Sequence, residues 1–118
     1  MEVLGIDVGG TGIKVNIVDI ESGQPIGEKF KIKTPTPATP EAIIECLLTA
    51  VENFNWKEKK IGIGFPAVIK NGISLTASNI DPAFINYNID EEFSKALDCD
   101  VKVVNDADAA GIAEMTYG

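Results

Sequence analysis

Met1-Glu2-Val3-Leu4-Gly5-Ile6-Asp7-Val8-Gly9-Gly10-Thr11-Gly12-Ile13-Lys14 opens the chain and decides its fold. Residues Glu2 to Val8 form a buried strand with Asp7 near its end, and Gly9, Gly10, Thr11 and Gly12 form a turn. Ile13, Val15 and Ile17 then alternate with Lys14 and Asn16, which is the period of a second strand. Glycines let a turn take positive φ and bring its N–H groups close to a guest. Successive N–H groups in a tight turn form an anion-binding concavity. A carboxylate beside a bound phosphate is repulsive unless a cation lies between them, so Asp7 implies Mg²⁺, held directly or through water. The combination points to phosphoryl transfer. Taken by itself, the segment fits an ordinary glycine-turn hairpin equally well. Neither the G-x-G-x-x-G dinucleotide fingerprint nor the G-x-x-x-x-G-K-[ST] loop occurs in the chain.

With 118 residues the chain has the length of one domain. Its formal net charge is −8, and all ten basic residues are lysine. This balance argues against a nucleic acid partner, which needs a basic footprint. It also makes the chain a poor host for a polyanion, so a highly charged phosphate donor would draw on metal and on basic residues from elsewhere. With no histidine, proton transfer falls to carboxylates. No apolar run approaches the ~20 residues of a membrane span, and no basic segment precedes an apolar one as in a secretory signal. Cys46 and Cys99 are isolated and are expected to be buried free thiols of a reducing, cytoplasmic compartment.

The remaining elements follow from periodicity and punctuation. Glu21 to Pro25 is a turn, and Ile26 to Lys33 a third strand with Phe30 and Ile32 inward. Lys29, Lys31 and Lys33 share its other side, as a solvated stripe that resists aggregation. Thr34 to Pro40 is a stiff connector, with Thr39 as helix N-cap and Pro40 at the first helical position. Ile43, Ile44, Leu47, Leu48 and Val51 carry a helix to about Phe54. Ile61 to Phe65 is a strand stopped by Pro66, and Asn71-Gly72 is a hairpin turn. Thr76 to Asn86 is irregular. Ile89, Phe93 and Leu97 mark a second helix, Asp100 to Val104 a further strand, and Ala107 to Met115 a third helix. The order β-β-β-α-β-(hairpin)-α-β-α predicts an α/β fold with a mixed sheet, its opening strands antiparallel and its later ones parallel.

A second chemical centre lies at Asn105-Asp106. Ligands of open α/β sheets bind outside the carboxyl ends of strands, and Asp7 and Asp106 both stand at such ends. Neighbouring strands would open both carboxylates into one cleft. Asp106 could then accept a hydroxyl proton during phosphoryl transfer, and Asn105 could bond a polyol. Taken alone, the pair is better explained as a helix cap. Gly64 and Pro66 are candidates for a cleft wall and Asn79 for a sugar contact, and turn geometry is the alternative for all three.

Taken together, the two centres resemble the N-terminal lobe of ROK-family sugar kinases, which belong to the ribonuclease-H-like, actin-like ATPase superfamily. Gly5 to Lys14 resembles the family's first phosphate motif, and Gly62-Ile63-Gly64-Phe65-Pro66 its cleft wall, with Ala67 in place of the usual glycine. Asn105-Asp106 resembles its sugar-binding asparagine and catalytic aspartate. Thr34 to Ala42 and Asn105 to Met115 are most similar to the polyphosphate-dependent glucokinase subgroup. The resemblance covers residues 1–118 as one lobe and implies a C-terminal lobe absent from this chain. It implies phosphorylation of the 6-hydroxyl of glucose, or a similar hexose, by polyphosphate or ATP with Mg²⁺, as in glycolysis. Asp106 would be the base, with Asn105, Asn79, Gly64 and Pro66 beside the sugar. Gly9, Gly10, Thr11, Gly12 and Lys14 would hold the phosphate, and Asp7 the metal. The full enzyme is compatible with a homodimer. The alternatives are an ATP-dependent hexokinase of the same family and a non-catalytic, sugar-responsive regulator or binding module.

Overall fold

The computed structural model describes residues 2–9, 11–56, 60–76 and 80–105. Strands β1 (Glu2–Val8), β2 (Gly12–Asp19) and β3 (Pro25–Lys33) precede helix α1 (Pro40–Asn53). Then come β4 (Lys60–Phe65), the short strands β5 (Ile69–Lys70) and β6 (Ile73–Ser74), helix α2 (Ile89–Leu97) and β7 (Asp100–Asn105). The main sheet has the order β3-β2-β1-β4-β7. β2 is antiparallel to β1 and β3, whereas β1, β4 and β7 run parallel. This is the expected mixed sheet. The third helix, expected from Ala107 to Met115, lies outside the described residues.

Register sorts the side chains onto two faces. Ile6 lies across from Val15 and Ile63, and Ile63 across from Val103. These residues are buried, and helices α1 and α2 cover this face with Ile43, Leu47 and Ala50 and with Ile89, Phe93 and Leu97. Phe65, Phe84, Tyr87 and Phe93 join the carboxyl end of β4 to α2 through edge-on and tilted ring contacts. On α1 the apolar spacing overreached at Leu48, which is 40% exposed, while Ala50 is fully buried. Helical pitch rotates the apolar stripe past Leu48, and a small residue allows the close approach that Ala50 makes. Cys46 and Cys99, expected to be buried, are only half-buried, at the margin of the core.

Local chemistry sets the boundaries of these elements. Thr39 caps α1 by accepting from the Ala42 N–H at 3.2 Å, and Pro40 follows it. Asn71 and Gly72 both take positive φ, which a two-residue hairpin of matching twist requires. Pro82–Phe84 forms a single 3-10 turn within the stretch expected to be irregular. Buried Ser74 satisfies its hydroxyl on the carbonyls of Phe84 and Tyr87, and so fastens this turn to β6.

The two edges of the described sheet are protected differently. β3 carries exposed lysines and an irregularity in its pairing with β2. β7 is covered by α2. Its Val101 N–H donates to Ser94 Oγ and its Val103 N–H to Asp90 Oδ1, both at 3.0 Å. Two strand residues advance about 6.6 Å and four helix residues about 6.0 Å, so Asp90 and Ser94 match alternate N–H groups of the edge.

Candidate functional site

Register places Asp7 of β1 level with Lys14 of β2 and Gly64 of β4, and Gly64 level with Val104 of β7. These residues share the sheet face opposite α1 and α2. Asn105 lies one position further along β7, across from Phe65. The carboxyl ends of the three parallel strands lie side by side, but Asn105 stands on the helix-covered face with Phe65, and Asp7 on the other face. β1 and β7 are not neighbours, however. β4 lies between them, and at ~4.8 Å per strand the gap is about 10 Å. Gly64 adds no side chain to that span on Asp7's face and is itself buried.

The hairpin after β1 is held from inside and from the side. The Gly9 N–H donates to the Gly12 carbonyl at 2.9 Å. A Cβ on Gly9 would stand 3.0 Å from that same carbonyl oxygen. Gly9 thus shapes the turn, since its N–H is spent within it. From the side, Thr34 Oγ1 donates to the Gly9 carbonyl at 2.7 Å, and the Thr34 N–H to the Thr11 carbonyl at 3.4 Å. Thr34 is buried. Reading it as the first residue of a connector missed this anchor. The signal was positional: Lys33 is level with Gly12, so Thr34 extends β3 past the strand end and reaches the turn. Thr11 and Lys14 are exposed, and Gly12 is half-buried.

The opposite wall is stitched together at Ala67. Its N–H donates to the Phe65 carbonyl at 2.8 Å, closing a tight turn about Pro66. Its carbonyl accepts from Asn105 Nδ2 at 2.7 Å. Asn105 is thereby oriented by the loop that follows β4, and Gly64, Pro66 and Asn105 form one unit. Gly10, Asn79 and Asp106 lie outside the described residues. Among those described, no three His, Cys, Asp or Glu side chains gather as a metal site. Asp7 sets a carboxylate beside the hairpin, which fits a magnesium ion that keeps most of its waters.

The described sheet thus carries a glycine hairpin after its first strand and an asparagine at the end of its last parallel strand. The ROK family model matches residues 3–118, and the chain belongs to that family. Among curated relatives, the polyphosphate glucokinase of Mycobacterium tuberculosis is 44% identical over 115 residues, covering 97% of this chain and 43% of that protein. Among solved structures, the inorganic polyphosphate/ATP-glucomannokinase of Arthrobacter sp. strain KM is 41% identical with a TM-score of 0.86, covering 99% of this chain and 49% of that one. A ROK-family glucokinase from Streptomyces griseus, solved with glucose and AMPPNP, is 29% identical with a TM-score of 0.78, covering 92% and 34%. These neighbours carry the actin-like ATPase fold. The chain spans under half the length of the relatives it matches. No helix among the described residues is long and apolar enough to cross a membrane.

Proposed function

We propose that residues 1–118 form the phosphate-organising, N-terminal lobe of a cytoplasmic two-lobed sugar kinase that makes glucose 6-phosphate from glucose and polyphosphate or ATP. The observation that carries this reading is that Asp7, the Gly9–Gly12 hairpin and Asn105 all lie at the same end of the sheet, at the carboxyl ends of β1 and β7 on either side of β4. Thr11, Gly12 and Lys14, with Gly10 in sequence between Gly9 and Thr11, hold the transferred phosphoryl group, and Gly9 and Thr34 hold the turn. Asn105 and Asn79 bond sugar hydroxyls against the wall made by Gly64 and Pro66. Asp106 accepts the proton of the 6-hydroxyl as that oxygen bonds to phosphorus and the bond to the leaving phosphate oxygen breaks. Asp7 would hold Mg²⁺, which supplies charge neutralisation at the phosphates when bound. The names of the relatives support both donors.

The test joins this chain to the C-terminal lobe of the M. tuberculosis relative and follows glucose 6-phosphate with polyphosphate and ATP in parallel. Turnover is expected with polyphosphate. Asp106→Asn should lower kcat by 10²-fold or more, about 3 kcal/mol, and leave glucose binding nearly unchanged. Turnover with ATP alone would reject the donor and keep the kinase. Equal loss of sugar binding and turnover in the variant would make Asp106 structural.

A further inference from the structure

Strands β2 and β3 gather four of the chain's ten lysines on one strip. Lys31 lies directly across from Lys14, and Lys33 directly across from Gly12 of the hairpin. Lys29 stands two residues before Lys31, inside the register shift that separates the Val15–Phe30 and Ile17–Ile26 pairs. All four are exposed, while Ile13, Val15, Phe30 and Ile32 between them turn inward. From Lys29 to Lys33 the strip is about 14 Å long. One end meets the hairpin, and the other leads away from it.

Edge protection accounts for lysines on β3. It does not account for Lys14, because β2 is an interior strand between β1 and β3. Like charges directly opposite one another destabilise a sheet. The Lys14–Lys31 pair bears that cost, which a carboxylate in place of Lys31 would remove, while Asp7 of β1, directly across from Lys14 on its other side, offsets part of it. Asp7 continues the same row beyond Lys14. The row thus runs from cations to the carboxylate placed beside the phosphate turn.

We propose that this lysine strip seats the extended part of an inorganic polyphosphate chain whose terminal phosphoryl group lies in the hairpin. The inference rests on the kinase reading above and names where its donor binds. A polyphosphate carries charge along its whole length, whereas a nucleoside triphosphate carries it at one end, so only the former uses cations arrayed away from the turn. Lysine point charges suit a flexible polyanion that has no fixed fork to match. The overall charge of −8 conceals the strip, since fields at physiological salt decay over ~8 Å.

The test titrates the 118-residue chain with long-chain inorganic polyphosphate, tripolyphosphate and a single-stranded oligonucleotide of matched charge, by calorimetry at low salt. The comparison variant is Lys29→Gln/Lys31→Gln/Lys33→Gln, with Lys14 left in place and an unchanged circular dichroism spectrum required. Long polyphosphate should bind the variant at least tenfold more weakly, and tripolyphosphate less than threefold more weakly. In the two-lobed fusion, the same variant should raise KM for polyphosphate tenfold and leave kcat/KM for ATP intact. No binding of polyphosphate by the parent chain, equal binding by parent and variant, or equally tight binding of the oligonucleotide overturns the proposal. A fusion that uses polyphosphate with the same KM in both forms refutes the strip and upholds the kinase. A fusion that uses ATP alone, over a parent chain that binds long polyphosphate through these lysines, refutes the donor and upholds the strip.

Discussion

At the residue scale, Gly9 and Gly12 look alike in sequence and differ in the fold. A methyl group on Gly9 meets the Gly12 carbonyl at 3.0 Å, while one on Gly12 meets the Ile32 carbonyl at an ordinary 3.8 Å. Gly9→Ala should destabilise the chain by about 1–2 kcal/mol, read as a lower midpoint in urea. Gly12→Ala should leave the midpoint nearly unchanged. A loss of phosphate binding in Gly12→Ala would then report the guest's approach to the backbone. Equal midpoints for the two variants would contradict the packing. The glycine cluster was legible in the sequence. Which glycine serves the turn was not, because that depends on a carbonyl three residues away across the hairpin.

At the element scale, α2 guards β7 through Asp90 and Ser94. Asp90 also receives the β5–β6 turn, since a Cβ on Gly72 would touch its side chain at 3.2 Å. Burial pushes the Asp90 carboxyl above its ordinary range, opposed in part by the Val103 N–H and by Lys102, with Asp100 adding to the rise. Asp90→Ala, which orphans the Val103 N–H, should cost about 1–3 kcal/mol. Asp90→Asn keeps an acceptor and removes the buried charge. Because the folded state holds this proton more tightly than the unfolded one, Asp90 favours folding in acid and loses that contribution as pH rises through its raised pKa. The Asp90→Asn variant should therefore gain on the parent in thermal melts as pH climbs from about 4 to about 7. A gap independent of pH would show that burial of the charge is not the cause. The acidic first turn of α2 was plain in the sequence as a helix start. Its pairing with a strand edge was not, since helix and strand periods match only once the two are side by side.

At the scale of the whole molecule, the described residues hold a core with two helices on one face, so the chain should melt cooperatively. Read as one lobe, as proposed above, and spanning under half the length of the relatives it matches, it should give no enzyme-like production of glucose 6-phosphate alone. Closure of a second lobe excludes water and completes such sites. Adding that lobe, fused or as a separate polypeptide, should restore turnover in a coupled assay. Enzyme-like turnover by the 118-residue chain itself would refute the two-lobe reading.

The sequence by itself determined the described strands and α-helices and their order, because hydrophobic period, glycine turns and proline stops act over a few residues. It also determined the family through motifs that are local in the chain. Only the tertiary structure decided which residues meet. It put β4 between β1 and β7, moved Thr34 from connector to hairpin anchor, tied Asn105 to Ala67, and laid Lys14 against Lys31. Each of these depends on strand order and register, which pair residues 17 to 38 positions apart and are fixed by burying one common face.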